Sequence, residues 1–545
     1  MAKEKKEKEV TLENVLWNCR VALRGYGSFE KNRDAVIGLA FLKFASDKFE
    51  KRRKEIIEQH PDMPFAVDRI SFYNAENVYY LDEDCRWDFI TKNASSSDIA
   101  VKIDNAMKKI EEKNPALLGT LPQGAYVALG APKEKIKDLI DEIGMINEKR
   151  FQEEDLIGRV YEYFLQNFAA SASKEDGEFY TPACVVDLLS ELIEPFDGTV
   201  YDPCCGSGGM FVQSMKFVDA HKGNRKKISV LGQESNPDTW RLAKMNLAIR
   251  GIAHNLGPKN ASTFTEDLHK DSTVQYIMAN PPFNLKNWRG EDELLDDSRW
   301  AGYSAKPPVS NANYAWILHM LSKLDVEKGI AGFLLANGAL NAGGGSDEEE
   351  GENESSQYTI RKEILEKDKV EAIIVLPRDM FYTTDISVTL WILNNNKKSR
   401  TLNGRQLRDR TNEVLFVDLR RWNENIEEYQ IDKGKKKKKV VLTSEQIKQV
   451  KEIYNNWQSV DCADSSKYAV PELYRSVKLN EIKEKNYCLT PSKYIEFIDH
   501  DLEIDFEKEM KRIQNEMIDI LKSEKESQSM LESAFEGIGY GIKKD

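Results

Sequence analysis

An α/β fold is what the sequence predicts: a mostly parallel, doubly wound sheet, preceded by an α-helical domain and followed by a helical tail. Three observations carry this. Apolar residues in the first quarter recur at helical spacing, and no alternating run there is long enough to build a sheet. From about residue 155, short apolar runs alternate with helix-like stretches. Several of these runs have no polar face, as expected of strands covered on both sides.

The first helices fall between residues 12 and 60. Leu12, Val15, Leu16 and Cys19 share one face, as do Ile37, Ala40, Phe41 and Phe44. Residues 61 to 150 stay helix-like between polar loops such as "NASSSD" and the Pro/Gly breaks of "LPQGAYVALGAP". Residues 1–150 therefore read as one helical domain. The runs "GTVYD", "KISVLGQE", "VQYIMAN", "GIAGFLLAN", "VEAIIVLP" and "SVTLWILN" read as the strands of a catalytic domain over 151–425. Within it, "NAGGGSDEEEGENESS" (341–356) has almost nothing apolar and reads as a solvated, flexible acidic insert. Residues 426–490 read as a mixed strand and helix extension. Its lysine run "KGKKKKK" (433–439) reads as a solvated loop, with a phosphate-backbone contact as the sharper alternative. "TSEQIKQVKEIYNNW" opens with a capping box, Thr443 with Gln446, and places Ile447, Val450, Tyr454 and Trp457 on one face. The tail, 491–545, carries Phe506, Met510, Ile513, Met517 and Ile520 as a heptad-like stripe. That stripe suits packing on its own domain or on a partner's helix.

Composition bounds the function. Of the 545 residues 41% are hydrophobic, enough for real cores, and 31% are charged. No apolar run reaches the roughly 18 residues of a membrane span. The charged start, "MAKEKKEKEV", has no apolar core behind it, so no signal peptide is expected and the cytoplasm is. The seven cysteines are odd in number and none is spaced as a zinc pair; reduced thiols and no metal are expected. A net charge of −13 argues against a protein that grips nucleic acid over its whole surface. It leaves room for a subunit that touches nucleic acid locally.

Four segments carry chemistry. In "VYDPCCGSGGMF", Asp202 ends a strand and Gly206, Gly208 and Gly209 follow before a helix. Glycines let backbone approach a ligand, and the helix start offers free N–H groups. The spacing is not G-x-G-x-x-G, which counts against NAD. "ISVLGQES" ends in Glu234, placed either to accept from ribose hydroxyls or to cap the next helix. Asp267, in "TFTEDLHK", is placed to accept from an adenine amino group. Upstream, "GEFYTPACVVDLL" starts a helix that Thr181 can cap, with Pro182 in its first turn. "ANPPFN" closes an apolar run. Its prolines lack the donor a sheet interior needs, so the chain stops there and presents Asn280 and Phe283 at a stiff strand tip.

The ordered set "GEFYTP", "DPCCGSGG", "GQES" and "ANPPF" resembles the amino-group DNA methyltransferases that use S-adenosylmethionine. "LWNCRVALRG…FLKFASDKFEKR" and "IRKEILEKDKVEAIIVLPRDMFYTTDISVTLWIL" are similar to one family among them, the modification subunits of type I restriction–modification systems. The resemblance spans about residues 12 to 400, with a weaker echo at "NYCLTPSKYI". Ser207 stands where threonine is frequent, and the acidic insert is long; neither removes a catalytic group.

The resemblance implies an S-adenosylmethionine-dependent methyltransferase fold and transfer of a methyl group to the exocyclic amine of a flipped adenine in DNA. It implies cofactor contacts from Glu178, Phe179, Tyr180, Thr181, Pro182, Ala183, Asp202, Ser207, Gly208, Gly209, Glu234 and Asp267. Asn280 and the Pro281 carbonyl would accept from the target amine, Pro282 would help stiffen the loop, and Phe283 would stack on the base. It also implies partners: double-stranded DNA, a specificity subunit that binds two modification subunits, and a restriction subunit, with no membrane. No Walker-type loop and no target-recognition region is visible. The alternatives are a self-sufficient type II enzyme, a glutamine or RNA methyltransferase, and a catalytically silent scaffold of a defence complex.

Overall fold

The computed structural model describes residues 12–76, 78–146, 181–343, 355–381, 387–432, 435–462, 464–498 and 506–537. At the N-terminal end the helical period translates directly into a core. Helix α1 (Leu12–Ala22) buries Val15, Leu16 and Cys19, and α2 (Phe29–Gln59) buries Ile37, Ala40, Phe41 and Phe44. The Ser28 hydroxyl caps α2 by accepting from the Lys31 amide. Helices α3 (Ile99–Lys113) and α4 (Lys133–Gly144) complete the bundle, and the described residues from 12 to 146 contain no strand.

The strands follow in chain order: β1 (Gly198–Asp202), β2 (Ile228–Gly232), β3 (His254–Asn255), β4 (Tyr276–Ala279), β5 (Ile330–Ala336), β6 (Val370–Val375), β7 (Val388–Asn394), β8 (Arg400–Leu402), β9 (Arg405–Leu407), β10 (Glu413–Asp418), β11 (Ile426–Asp432), β12 (Lys435–Val440), β13 (Ala469–Val470) and β14 (Tyr474–Lys478). Ten of them form one sheet in the order β13-β14-β10-β6-β7-β5-β4-β1-β2-β3. The run β3-β2-β1-β4-β5 is parallel throughout, and β6 is parallel to β10. Strand β7 lies antiparallel between β5 and β6, and β14 and β13 add an antiparallel edge. Strands β4 to β7 are buried at every position, which is why they read as unbroken apolar runs.

Helices cover both faces. On one side lie α5 (Ala183–Ile193), α6 (Gly209–Ala220) and, further along the chain, Ser444–Gln458; part of α7 (Pro237–Ile249) joins the same core. On the other lie α8 (Asn313–Lys323) and α9 (Ser356–Glu366). The Ser444–Gln458 helix, α10, carries the expected capping box. The Thr443 amide donates to Gln446 Oε1 at 2.9 Å, and the Gln446 amide to Thr443 Oγ1 at 3.2 Å. Helix α7 serves two cores: its Leu242, Met245 and Ala248 complete that of the N-terminal bundle. Tyr79 Oη donates to Ala248 O at 3.0 Å across this junction.

Chain direction creates the site. From β1 the chain moves to β2 and β3 on one side, then returns to β4 on the other. This switch point opens a crevice at the carboxyl ends of β1 and β4.

The lysine run departs from expectation. Its described part is a strand, β12, paired antiparallel with β11, and Glu427 and Glu428 stand opposite Lys439 and Lys438. Lys439 reaches Glu427 at 3.2 Å. Opposed acids make a charged strand tolerable, but without an apolar face the run leaves no strand signal. Most of the acidic insert, residues 344–354, lies outside the described residues.

The chain divides into two compact units, Met1–Ile495 and Glu496–Asp545. The second is described by one helix, α11 (Phe506–Gly537), whose Phe506, Met510, Ile513, Met517 and Ile520 are all exposed. Among the described residues no helix is long and apolar enough to cross a membrane.

Candidate active site

The glycine turn is knitted to both neighbouring strand ends. Asp202 O accepts from the Gln233 amide at 3.1 Å, and Gln233 O from the Cys205 amide at 2.9 Å. Gly206 (φ +53°) and Gly208 (φ +80°) occupy left-handed backbone, where a side chain would be strained. Glu234 Oε2 accepts from the Gly206 amide at 3.0 Å and Oε1 from the Asn236 amide at 2.8 Å, so this carboxylate sets the turn. From the other side, Asn246 of α7 donates to Ser207 O at 2.7 Å.

Burial governs the acids here. It pushes the Asp202 carboxyl up to about 7, against the pull of the Cys204 amide, which donates to Oδ1 at 3.0 Å. Burial raises Glu234 too, against its backbone donors. The thiols of Cys204 and Cys205 are driven well above their ordinary value, so neither is a thiolate nucleophile.

The next wall is the segment after β3. Phe264 is buried between Trp288 and Trp316, with ring centroids 4.5 and 4.1 Å away. Two buried side chains hold this segment. Gln233 donates to Ala261 O (3.0 Å) and Glu266 O (2.7 Å) and accepts from the Leu268 amide (3.0 Å). Arg299 donates to Thr263 O (3.0 Å) and Phe264 O (2.6 Å), and its guanidinium is paired with Asp297. His319 lies behind, 3.4 Å from Arg299 and 3.0 Å from Tyr201 Oη. Burial lowers it to about 3, so it is neutral.

Asp267, expected to meet the adenine amino group, is not among the residues that line the cavity. Its carboxylate is 2.7 Å from the buried Lys323 ammonium. Its other oxygen accepts from the His269 amide at 2.9 Å. Burial, the largest single influence, works to raise it, but the bond to Lys323, the neighbouring positive charge and the His269 amide together outweigh it and hold the carboxyl below its ordinary value. Ser262, Thr263 and Phe264 line the cavity in place of Asp267.

The third wall is the loop after β4. Asn280 is half-buried, and its Nδ2 donates to Thr181 Oγ1 at 2.9 Å. The loop turns at Asn284 (φ +55°), whose amide donates to Asn313 Oδ1 (3.0 Å) and whose Oδ1 accepts from Asn313 Nδ2 (2.9 Å). The start of α8 therefore pins the loop. Phe283 meets Phe381 edge-on at 6.5 Å.

One cavity of about 480 Å³ joins these walls, within the size range of small-molecule sites. Of the residues expected to act, Thr181, Asp202, Ser207, Gly209, Glu234, Asn280 and Pro282 line it. Gly208, Pro281, Phe283, Pro182 and Ala183 do not; Pro182 and Pro281 are buried and Ala183 is exposed. Glu178, Phe179 and Tyr180 lie outside the described residues. Arg299, Trp288 and Trp316 lie outside every quoted motif, and Gln233 lies within "GQES" without a role of its own, because spacing does not mark a residue whose partners are distant carbonyls or rings.

A family described as N-6 DNA Methylase matches residues 152–502, and the HsdM N-terminal domain matches residues 12–143. The chain belongs to the N-6 DNA methylase family. The methylase is 37% identical over 411 residues to the type I restriction enzyme HindI methylase subunit of Haemophilus influenzae, covering 73% of this chain and 83% of that one. It is 31% identical over 544 residues to the type I restriction enzyme MjaIX methylase subunit of Methanocaldococcus jannaschii, covering 97% and 91%. The crystal structure of a type I restriction-modification methyltransferase subunit from Streptococcus thermophilus shares its fold, with a TM-score of 0.69 at 21% identity, covering 89% of this chain and 99% of that one. This methylase is the modification subunit of a type I restriction–modification system, an N6-adenine DNA methyltransferase that uses S-adenosylmethionine.

The residues present fit that cofactor. Gly206 and Gly209 line the cavity, and a Cβ on either would meet only open space, so both keep room for a ligand. Two acids, Asp202 and Glu234, line the same cavity and would suit a molecule that carries positive charge on sulfur and on its amino group.

Proposed function

We propose that Asn280 directs the amine of a flipped-out adenine toward the methyl donor held by the glycine turn, Asp202 and Glu234. One observation carries this reading: Asn280 and both acids line the same cavity. Bound S-adenosylmethionine would supply an electrophilic methyl on sulfur for the adenine nitrogen, the sulfur keeping the electron pair of the C–S bond as a thioether. Asn280 Oδ1 accepts from the amine, and the Pro281 carbonyl is placed in sequence to accept a second hydrogen. Two acceptors turn the nitrogen lone pair toward the methyl carbon. The nitrogen loses its proton after it has become cationic, so a neutral amide suffices and no strong base is needed. Pro281, Pro282 and the Asn284–Asn313 pair stiffen the loop, and positioning of this kind is where such a transfer gains its rate. Phe283 offers an aromatic face to offset the few kcal/mol of unstacking.

Sequence choice belongs to a separate specificity subunit that binds two copies of this chain, with a restriction subunit joining the full complex in the cytoplasm. The exposed apolar stripe of α11, on a helix of 32 residues, supports a role in that assembly.

The test is transfer of labelled methyl groups to unmodified genomic DNA by the chain alone, by the chain with its specificity subunit, and by the same mixture carrying Asn280→Ala. Methyladenine formed only by the wild-type mixture is expected, with the variant at least about 100-fold slower, the cost of a misplaced reacting group. Full activity from the variant would remove Asn280 from the mechanism. Activity from the chain alone would move sequence choice into it.

A further inference from the structure

We propose that Thr181 is a positioning residue for the catalytic amide: its hydroxyl oxygen receives Asn280 Nδ2 and so holds the amide carbonyl toward the target base. This rests on the role of Asn280 given above.

The sequence predicts Thr181 as the N-cap, with Pro182 in the first helical turn. Here the N-cap of α5 is Pro182, with no side-chain cap, and Pro182 O takes the amides of Val185 and Val186. The Thr181 hydroxyl instead meets Asn280 at 2.9 Å, 99 residues away in the chain. Preceding a proline, Thr181 is kept out of helical backbone, which places it outside the helix it precedes. It also lines the cavity beside Asn280.

The chemistry of an amide makes this contact directional. Asparagine carries a carbonyl acceptor and an NH₂ donor on opposite sides of one plane. The target adenine presents an amine, itself a donor, so only the carbonyl side serves it. The final torsion of asparagine is broad and roughly two-fold, and by itself selects neither side. When Oδ1 accepts from the base, Nδ2 points the other way, and an acceptor there favours the productive orientation. A threonine hydroxyl can donate or accept; in this structure Thr181 Oγ1 accepts from Nδ2, which is the productive orientation. Valine has the same shape without the acceptor; serine keeps the acceptor without the methyl group.

The experiment uses the complex of this chain with its specificity subunit and compares wild type, Thr181→Val, Thr181→Ser, Asn280→Ala and the Val/Ala double variant. Single-turnover methyl transfer to a DNA fragment that the wild type modifies is measured at saturating S-adenosylmethionine. Cofactor affinity is measured separately by calorimetry. Loss of one hydrogen bond predicts transfer about 3- to 10-fold slower in the valine variant, with near wild-type rates in the serine variant. Cofactor affinity stays within about twofold, well inside the tenfold that 1.4 kcal/mol represents. In the double variant the threonine change has no further effect, because the group it positions is gone. An unchanged rate in Thr181→Val overturns the proposal. So does weakened cofactor binding with an unchanged saturated rate, which would make Thr181 a cofactor contact only. Additive losses in the double variant also overturn it. If the wild-type complex transfers no methyl group, or Asn280→Ala transfers at the wild-type rate, the reading of the site itself fails, a result distinct from these.

Discussion

Arg299 offers the sharpest test of how the cofactor wall is held. Its side chain is 7% exposed and binds Thr263 O, Phe264 O and both Asp297 oxygens. Arg299→Met keeps length and removes every donor. Breaking a buried charge pair costs about 3–5 kcal/mol, because the remaining charge is left behind. The Asp297 side chain is 18% exposed and regains some water, so the expected loss sits near the lower end, about 3 kcal/mol. A second effect is local. Both wall carbonyls lose their anchor, and Phe264 loses its fixed place between Trp288 and Trp316. Cofactor affinity should fall about tenfold or more, at 1.4 kcal/mol per tenfold. Arg299→Lys separates the two effects: a single ammonium can still pair with Asp297 but cannot fork across two carbonyls. Lysine should recover much of the stability and little of the affinity. The assays are urea denaturation, following the transition that cofactor shifts, and calorimetric titration with S-adenosylmethionine. A methionine variant within about 1 kcal/mol of wild type, the worth of one ordinary hydrogen bond, with unchanged cofactor affinity would refute the clamp.

Two further predictions follow from the charges of the site and from the tail. Asp202 titrates near 7 in the folded protein, above its ordinary 3.8, so between those values the folded chain binds more protons than the unfolded one. Its contribution to stability is therefore complete below about 4 and declines as pH rises to about 7. A cationic cofactor favours the carboxylate, so binding at pH 6.5 should release protons, seen as a calorimetric heat that depends on the buffer; Asp202→Asn should remove that dependence, and a wild-type heat independent of buffer would refute the argument. On α11, Met517 is 60% exposed and lies on the apolar stripe. Met517→Lys should leave folding and cofactor binding unchanged and weaken co-purification with the specificity subunit by about tenfold or more, since an unpaired charge would enter an apolar contact; unchanged assembly would remove the stripe from the interface.

The parts of this methylase legible in its sequence are those written in local spacing. Helical period marked the N-terminal bundle, apolar runs marked the buried strands, and Thr443 with Gln446 marked a capping box that forms as read. The glycine turn and the "ANPPF" loop were legible for the same reason. Left-handed glycines and a proline-stopped strand are constraints between neighbours in the chain. Assignments that depended on distant partners were not. Spacing could not show that Lys323 stands 2.7 Å from Asp267 or that Asn280, and not the helix start, meets the Thr181 hydroxyl, and Arg299 had no motif at all. The lysine run hid a strand because its stabilising acids lie on the opposite strand of a hairpin. Spacing along the chain decides backbone conformation, which is a local property. The role of a polar side chain is decided by which donor or acceptor the fold brings within about 3 Å of it, and only the tertiary structure supplies that.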